Sequence, residues 1–473
     1  MKIQFVGAAV RSGDLRVQLA WVPSEPPKGG LPLEAGEIRV RSGGSRAPSV
    51  VLGLGQCKNM KDHELLGRGA SLGRWLVAHR VRRAVVDMTP VARSGIDGAT
   101  EAFCAGLVLG SFRFDRYQEK AKSGQVTVIL KVPRLTAADR TSIRTAVTIA
   151  EATNLAREWG HEPPNMVNPV TLAGRCEELA QDAGLGCTVY DDTQLADMGA
   201  HAIVQVGVAS PTPSRLIILE HAGSPDKKNA RPVVLVGKAV TFDTGGYSLK
   251  DKTGIVGMKY DKCGGMAVIA TLKAAAQLKL PTPVVGVIAA AENMISGEAY
   301  RPNDIVTTMS GKTVEIISTD AEGRMVLADA LTYAQKEYKP RCIIDLATLT
   351  GGVVVALGGV FGGLFCREAA LSERLLASAQ RTHERLWRLP LDEDYFELIK
   401  GDDSDLKNSG GRSAHATIGA MFLQQFIKKN VPWAHLDIAG VADTDKDSDI
   451  CPKGATGFGV RLLADFLTRL DQA

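Results

Sequence analysis

The sequence predicts an α/β protein of two domains, the second with a largely parallel sheet covered by helices. The chain has 473 residues, more than one ordinary hydrophobic core accommodates. In its second half, apolar runs without strict alternation recur, which is typical of strands that are covered on both faces. Helical segments fall between these runs, and such alternation of β and α elements implies a mainly parallel sheet.

The first domain is predicted over residues 1–136 as an α/β domain of its own. The N-terminal segment, which begins MKIQF, has one lysine and a short apolar run without a clear processing site. It is therefore interpreted as a first β-strand and not as a signal peptide. Further elements are predicted as strand Ser49–Leu54, helix His63–Arg80, strand Ala84–Met88 and strand Gln125–Val132.

A long helix over residues 137–160 is predicted to connect the two domains. Ile143, Val147 and Ala150 recur within it at roughly helical spacing. Gly160, with two prolines shortly after it, ends the helical pattern.

The second domain is predicted over residues 161–473. It opens with Asn168 and Pro169, a good N-cap and first helical residue, and that helix ends near Ala183. Strands are then predicted at Arg215–Glu220, Pro232–Gly237, Pro283–Ala291, Cys342–Ala347 and Ala434–Ala439. Helices are predicted at Gly265–Leu278, Met325–Lys336 and Ala414–Lys428.

The carboxyl ends of the predicted strands are the expected place for a ligand, because ligands of such folds gather there. Lys238 and Asp243 are interpreted as lying just after one strand, and Thr348–Gly351 just after another. The uncharged run Leu346–Leu364 is about long enough to span a bilayer. Its many Gly and Thr residues favour a buried strand, a Gly-rich loop and a second buried element instead.

Composition excludes several function classes. The 56 Lys and Arg against 52 Asp and Glu give a net charge of +4, too small a bias to indicate nucleic acid or an anionic membrane as a partner. The eight cysteines form no CxxC pair, so a zinc ribbon or thioredoxin-type motif is excluded. Reduced thiols in a cytoplasmic protein are expected.

Acidic and basic residues fall in two tight clusters that indicate a two-metal hydrolase centre. The clusters are Lys238, Asp243, Lys250 and Asp261, and then Asp320, Glu322 and Arg324. Carboxylate oxygens suit Mg²⁺ and Mn²⁺ and also bind Zn²⁺. Two close cations need a bridging carboxylate, for which Asp243 and Glu322 are the candidates. Lys250 and Arg324 are then left to act on a substrate.

Lys238 is the unusual member of the proposed ligand set. An amine ligand must be neutral, so the cations would have to lower its pKa far below the usual value of about 10.4. From spacing alone, Lys238 is better interpreted as a salt-bridge partner. Asp261 or Glu322 alone would be a surface charge or a helix cap, and only the joint pattern favours a metal site.

The joint pattern resembles the leucyl (cytosol) aminopeptidase family of two-metal exopeptidases. The family signature Asn-Thr-Asp-Ala-Glu-Gly-Arg-Leu appears here as Ser318–Met325, and its FDSGG segment as Phe242–Gly246. Further family-like blocks are ENM at 292–294, RPNDIVTTMSGKTVEI at 301–316, DLATLTGG at 345–352 and WAHLDIAG at 433–440. The first domain resembles the family's macrodomain-like N-terminal domain only in general character.

The resemblance implies a role for each site residue. One metal would be held by Lys238, Asp243, Asp261 and Glu322. The second, more exchangeable metal would be held by Asp243, Glu322 and both the carboxylate and the main-chain oxygen of Asp320. Lys250 and Arg324 would be the catalytic side chains, with bicarbonate on Arg324 as the general base. The pocket for the first substrate residue would include Met258, Thr348, Leu349 and Gly351.

The same resemblance implies the activity, cofactors and assembly. The expected enzyme is a cytoplasmic homohexamer that releases N-terminal Leu and other apolar residues from peptides. Its cofactors would be two divalent ions, Mn²⁺ or Zn²⁺ with Mg²⁺ as a further candidate, and a hydroxide that bridges them would attack the scissile carbonyl. Two departures bear on metal choice: Ser318 stands where the family has Asn, and Lys262, where Met is common, is expected to add positive charge near the metals.

Other functions are weighed against this hypothesis. Gly69–Gly73 matches the GxSxG pattern of serine hydrolases, but it follows a helical stretch, whereas a nucleophile elbow follows a strand. Ser310–Thr313 mimics the end of a phosphate-binding loop, but Val306 replaces its first glycine. A binding or assembly protein that keeps the fold with little activity remains the alternative, and the intact Lys250 and Arg324 argue against it.

Overall fold

The structure is a computed structural model that describes residues 1–5, 11, 13–22, 33–41, 49–119, 125–227 and 230–470. The chain forms two units, Met1–Asn154 with Asp445–Lys453, and Leu155–Thr444 with Gly454–Ala473. The domain limits predicted from the sequence, at residues 136 and 160, stay a prediction.

The first unit contains a six-stranded sheet within its described residues. Its strands are β1 (Lys2–Phe5), β2 (Leu15–Trp21), β3 (Ile38–Arg41), β4 (Ser49–Gly55), β5 (Arg83–Asp87) and β6 (Thr127–Lys131). The order is β1-β6-β5-β2-β4-β3, and only the β3·β4 pair is antiparallel. The first strand expected from MKIQF is therefore present.

The helices of the first unit are α1 (Asp62–Ala78), α2 (Thr89–Ala92), α3 (Ala99–Gly110) and the beginning of α4 (Ala137–His161). Helices α1 and α3 pack closely because glycines of each face the main chain of the other. A Cβ at Gly69 would lie 2.1 Å from the Phe103 carbonyl oxygen, and one at Gly106 would lie 2.0 Å from the Leu66 carbonyl oxygen. Ser71 lies within α1 and donates to the Gly67 carbonyl. The GxSxG match thus belongs to a helix contact.

The second unit contains the larger sheet and two small ones. The strands are β7 (Gly186–Tyr190), β8 (Arg215–His221), β9 (Val233–Asp243), β10 (Val284–Asn293), β11 (Ile305–Thr307), β12 (Thr313–Glu315), β13 (Cys342–Ala347), β14 (Gly362–Cys366), β15 (Leu386–Arg388), β16 (Leu406–Lys407), β17 (Trp433–Asp437), β18 (Asp443–Thr444) and β19 (Gly454–Ala455). The helices are α5 (Pro169–Ala183), α6 (Asp192–Asp197), α7 (His201–Gly207), α8 (Cys263–Leu278), α9 (Glu322–Tyr338), α10 (Gly351–Leu357), α11 (Ala369–Thr382), α12 (His415–Gln424) and α13 (Val460–Arg469). A 3₁₀ turn, Met258–Lys262, directly precedes α8.

The larger sheet has the order β15-β14-β17-β13-β9-β10-β8-β7 among the described residues. Its central strands β17, β13, β9 and β10 are parallel, whereas β14 with β17, β10 with β8, and β8 with β7 pair antiparallel. The central strands are buried along their whole length apart from one position of β9. The predicted fold class, with a largely parallel sheet covered by helices, is confirmed.

Local signals place the first helix of the second unit where the sequence predicted it. The Asn168 side chain accepts a hydrogen bond from the Thr171 main-chain N–H, and Pro169 is the first helical residue of α5. Gly184 ends the helix in the left-handed conformation, at φ 69°. The cap and the stop residue together account for both ends of α5.

Among the predicted element boundaries that the structure corrects, two concern the candidate site. Strand β9 does not end at Gly237: its pairing with β10 continues to Asp243, so Lys238 and Asp243 lie on the strand itself. Helix α9 begins at Glu322 and not at Met325, which places Glu322 and Arg324 in its first turn. In each case contacts made in the folded unit extend the element beyond the range that local pattern indicated.

The two ends of the uncharged run Leu346–Leu364 belong to the buried strands β13 and β14, as expected. Helix α10 occupies part of the stretch between them, where a Gly-rich loop was expected. Among the described residues, no helix has the length and apolar character that a membrane crossing requires.

Candidate metal centre

Six of the seven charged residues of the two sequence clusters meet in one ion-pair network of the second unit. In one half, the Lys238 ammonium contacts Asp261 and Glu322. In the other, the Lys250 ammonium contacts Asp243 and Asp320. The seventh residue, Arg324, lies outside these pairs.

Lys238 reaches the network from the middle of β9. Its Nζ atom lies 2.8 Å from both Asp261 Oδ1 and Glu322 Oε1, and it donates to the Thr348 carbonyl at 2.8 Å. Burial opposes the charged form, but the carboxylates prevail and raise the pKa of Lys238 above its usual range. Lys238 thus pairs with both carboxylates, as its spacing alone indicated, and its role as a metal ligand stays a prediction.

Gly323 makes room for the Lys238 side chain. A Cβ at position 323 would lie 2.6 Å from Lys238 Cε and 2.7 Å from Nζ. Because Lys238 is buried, its side chain has little room to move aside. Gly323 of the Asp-Ala-Glu-Gly-Arg motif therefore leaves space for the side chain of Lys238, which belongs to the other sequence cluster.

Lys250 follows the two-glycine turn after β9. Its Nζ atom lies 2.6 Å from Asp243 Oδ2 and also contacts the Asp320 carboxylate. Burial works against its charge, but Asp243, Glu322 and Asp320 raise its pKa well above the usual value. The residue is therefore a fixed positive charge at the more open side of the cluster, where Asp320 is part-exposed.

The carboxylates of Asp243, Asp320 and Glu322 converge closely. One oxygen of each lies within 4.8 Å of the other two. Burial and the neighbouring Glu322 charge raise the pKa of Asp243 to about 6, and the same two causes raise the pKa of Asp320. Such crowding favours a divalent cation between the oxygens, because the cation offsets the repulsion.

Asp261 lies on the Met258–Lys262 turn. Its main-chain oxygen and its Oδ1 atom both accept hydrogen bonds from the Thr348 hydroxyl, at 3.0 and 2.7 Å. Its Oδ2 atom is buried and has no hydrogen-bond partner within the described part of the chain. Burial raises the pKa of Asp261 to about 8. An unpartnered buried carboxylate oxygen is what a metal ligand offers, so the donor set fits two cations.

Arg324 is buried in the first turn of α9, where Nη1 donates to the Asn408 carbonyl at 2.7 Å. Burial lowers its pKa to about 10, so the guanidinium remains charged at neutral pH. Among the described residues the guanidinium makes no other hydrogen bond. Its remaining donors suit an anion such as bicarbonate.

Asn293, at the end of β10, was not singled out as a site residue from the sequence. Its Nδ2 donates to Asp243 Oδ1 at 2.8 Å and to the Thr319 carbonyl at 3.0 Å, and the Tyr300 hydroxyl donates to that same carbonyl. Asn293 thus ties one carboxylate to the residue that precedes Asp320. In the sequence, Asn293 appears within the ENM block at 292–294. That block indicates resemblance to the family but gives Asn293 no particular role.

Asn408 and Asp437 are two further residues that the sequence reasoning missed. The Asn408 side chain accepts from the Ser318 N–H and donates to the Ser318 carbonyl at 2.7 Å, which fixes the residue that departs from the family pattern. Asp437 accepts from the Leu349 N–H and from the Thr350 hydroxyl. Both act on loop backbone, so no spacing rule would have found them.

The predicted pocket residues lie on two segments that meet at Asp261. Met258, Thr348 and Leu349 are half-buried, and Gly351 is exposed at the start of α10. Thr348 contacts both Asp261 and Lys238.

The Lys262 ammonium donates hydrogen bonds to three main-chain carbonyls, those of Gly160, Glu162 and Lys259. The sequence had predicted that this residue brings positive charge close to the metals. The side chain is fully buried, and burial lowers its pKa to about 8.

Comparisons with known proteins agree over both units. A family model described as the cytosol aminopeptidase family, catalytic domain, matches residues 154–464. A second model, described as the N-terminal domain of that family, matches residues 35–121. The resemblance that the motifs predicted is confirmed.

Individual relatives and a solved structure are also similar to the chain. The probable cytosol aminopeptidase of Geobacter sulfurreducens is 44% identical over 424 residues, which cover 88% of this chain and 84% of the relative. That of Rickettsia massiliae is 36% identical over 475 residues, covering 98% and 90%. The bottromycin maturation enzyme BotP, solved in complex with Mn, is similar with a TM-score of 0.88 at 34% identity, covering 97% of this chain and 99% of that chain.

Proposed function

Because this chain belongs to the cytosol aminopeptidase family, whose members are metal-dependent exopeptidases, we propose that it releases N-terminal Leu and other apolar residues from peptides. One observation carries the proposal. The carboxylates of Asp243, Asp320 and Glu322 converge within 4.8 Å, beside two lysines that pair with them. A purely binding protein has no need for so much mutually repelling charge in one place.

Two sets of residues would hold the metals. Lys238, Asp243, Asp261 and Glu322 would hold one ion, and Asp243, Asp320 and Glu322 the other. Two divalent ions, when bound, would supply Lewis-acid charge and a hydroxide nucleophile at neutral pH. Mn²⁺ and Zn²⁺ are the candidates, with Mg²⁺ as a third, and the Mn found with BotP supports the first.

Lys250 would stabilise the negative charge that develops on the scissile carbonyl oxygen. The neighbouring carboxylates hold its pKa well above the usual value, so it donates as an ammonium throughout the working pH range. Preorganised charge of this kind is usually the largest catalytic contribution. The contacts to Asp243 and Asp320 aim the ammonium before a substrate arrives.

Arg324 would hold bicarbonate, which supplies a base when bound. The hydrogen bond from Nη1 to the Asn408 carbonyl fixes the guanidinium plane and leaves its other donors for the anion. An Arg is suited to this task because its planar fork binds an oxyanion through two parallel hydrogen bonds.

Selectivity for the first residue would come from Met258, Thr348, Leu349 and Gly351. The side chains of Met258 and Leu349 offer apolar contacts, which favour Leu and similar residues. A cytoplasmic homohexamer is proposed from the family resemblance, and light scattering of the purified protein tests the assembly.

Hydrolysis of a chromogenic leucyl amide tests the activity. We expect turnover with Mn²⁺ or Zn²⁺, loss of turnover in EDTA, and recovery when metal is added back. Protein that is folded but shows no metal-dependent turnover with any of the three ions would support the alternative of a binding or assembly protein.

Substitution of two carboxylates tests the ligand assignment. Asp320→Ala and Glu322→Ala are each expected to abolish turnover while the protein remains folded by circular dichroism, because each removes a ligand of the carboxylate cluster. Asp182→Ala, at an exposed position of α5, is the matched control and should keep full activity. Substantial activity in either cluster variant would contradict the assignment.

A further inference from the structure

Two lysines of the Met258–Lys262 turn bind the end of helix α4. Lys262 Nζ donates to the carbonyls of Gly160 and Glu162 at 3.1 and 3.0 Å, and to that of Lys259. Lys259 Nζ donates to the His161 carbonyl at 3.0 Å. Two ammonium groups therefore bind three consecutive carbonyls at the carboxyl end of one helix.

The sequence after α4 removes the helical donor of one of these carbonyls, that of Gly160. Pro163 and Pro164 have no N–H, so the helical donors for the carbonyls of Trp159 and Gly160 are missing. The carboxyl end of a helix also carries partial negative charge, which favours a cation there. A lysine ammonium meets both requirements at once.

The ammonium group of Lys262 suits the end of α4 in both burial and hydrogen bonding. Its side chain is fully buried, and its three ammonium hydrogens have three acceptors. Burying an ammonium is costly unless its donors are paired, so the fit is specific to this group. Lys262 is also the residue directly after Asp261, whose Oδ2 is buried without a hydrogen-bond partner among the described residues.

We propose that Lys262 is a positioning residue, which fixes the orientation of Asp261 toward a metal ion by binding the Asp261 turn to the end of α4. The inference rests on the proposed function, since it takes Asp261 as a ligand. Thr348 holds the same turn from the other side, through the main-chain oxygen and Oδ1 of Asp261. Residues that orient a metal ligand typically change metal affinity 10–100-fold when they are replaced.

Lys262→Met tests the proposal, since Met has a similar length but no group that can donate to the three carbonyls. Calorimetric titration with Mn²⁺ should show about tenfold weaker binding of one ion, with little change for the other. Leucyl amide hydrolysis at a fixed low Mn²⁺ concentration should fall and recover at high Mn²⁺. Lys336→Met, at an exposed position of α9, is the control and should bind both ions as wild type does.

A double-mutant cycle separates positioning from a general effect on stability. In an Asp261→Asn background the ligand has already been weakened, so Lys262→Met should change Mn²⁺ affinity much less than it does in the wild type. Equal losses in both backgrounds, or unchanged affinity in the single variant, would overturn the proposal.

A second variant covers the case in which Lys262→Met does not fold. Lys259→Met removes the half-buried partner that binds the His161 carbonyl, and should weaken the same ion in the same direction by a smaller factor. Unchanged affinity there would also overturn the proposal. Wild-type protein that takes up one Mn²⁺ or none would contradict the proposed function itself, and this inference with it.

Discussion

At the scale of single residues, Gly323 leaves open the space that the Lys238 side chain occupies. A methyl group at that position would lie 2.6 Å from the lysine side chain, and the surrounding burial leaves little room for adjustment. The close approach joins the second sequence cluster to the first. It also explains physically why a glycine stands between Glu322 and Arg324.

Gly323→Ala is expected to lower kcat/KM at least tenfold, because Lys238 would be pushed away from Asp261 and Glu322. The measurement is leucyl amide hydrolysis at saturating metal. Gly174→Ala on α5, where a Cβ meets nothing within 4 Å, is the matched control and should leave the rate unchanged. A Gly323→Ala enzyme with the wild-type rate would mean that Lys238 can shift without consequence.

Asn293 leads to a second prediction at this scale. Asn293→Leu keeps the approximate volume but removes the donors to Asp243 and to the Thr319 carbonyl. We expect kcat/KM to fall about 10–100-fold, the range typical of residues that orient metal ligands. Asn165→Leu, at an exposed position, is the control. A rate within twofold of wild type would show that the two segments hold their places without Asn293.

What could be predicted at this scale follows from how the residues act. Asp243, Asp320 and Glu322 form dense motifs whose chemistry is local, so the sequence was sufficient to group them. Asn293 and Asn408 act by binding backbone that is distant in sequence, and no local pattern records such a contact. Their identification required the fold.

At the scale of elements, helix α9 carries the centre at its first turn and is anchored further along by Asp329. This buried carboxylate accepts hydrogen bonds from the N–H groups of Ala202 and Ile203 in α7, at 2.8 and 3.1 Å. It also accepts from the Met309 N–H at 2.7 Å. One side chain thus fixes α9 against α7 and the loop after β11.

Asp329→Ala is expected to lower the free energy of unfolding by about 3 kcal/mol, because buried N–H groups would lose their acceptor. Denaturant unfolding followed by circular dichroism measures this, with Glu337→Ala at an exposed position of α9 as the control. A change below about 0.5 kcal/mol would show that water or a neighbouring group replaces the carboxylate.

The same residue predicts a pH dependence. Burial raises the pKa of Asp329 to about 7, against the lowering effect of its three N–H partners. A carboxyl with a raised pKa in the folded protein contributes most to stability at low pH, and that contribution is lost as the pH rises to about 7. The stability difference between wild type and Asp329→Ala should therefore shrink between pH 5 and pH 7.5. A difference that grows over this interval would contradict the shift.

The ends of the predicted helices and strands were correct where local signals mark them and wrong where pairing in the folded unit sets them. The cap at Asn168 and the stop at Gly184 were sufficient to predict α5, because both signals are local. The extension of β9 to Asp243 depends on its pairing with β10, in which Asp243 lies opposite Asn293. A charged residue on a strand is not predicted by apolar pattern, so the end of β9 was placed too early.

At the scale of the whole molecule, the alternation of strands and helices was sufficient to predict a mainly parallel sheet. It was insufficient for the antiparallel pairs at the margins, β7 with β8 and β14 with β17. Strand direction there is set by which neighbour the chain returns to, and the apolar pattern of a strand is the same in both directions. The length of the chain correctly indicated more than one hydrophobic core.

Metal binding is expected to stabilise the protein as a whole. A ligand that binds only the folded state at a free concentration of 100 Kd adds about 2.7 kcal/mol to the free energy of unfolding. Mn²⁺ should therefore raise the unfolding temperature of the wild type by a few degrees. Glu322→Ala, which lacks a ligand of both proposed ions, should show little or no rise. Equal shifts in the two proteins would indicate that the ion binds elsewhere.

The exposed apolar side chains of Tyr247, Leu249 and Val256 flank Lys250 and precede the Asp261 turn, with 48%, 58% and 78% of their surfaces accessible. The charged groups of the centre, by contrast, are mostly enclosed by the sheet and by α9. Exposed apolar surface and enclosed charge thus come from neighbouring but distinct positions of the same segment. Exchange of these three side chains should therefore change the surface that solvent meets beside the centre and leave the ion pairs of Lys238 and Lys250 in place.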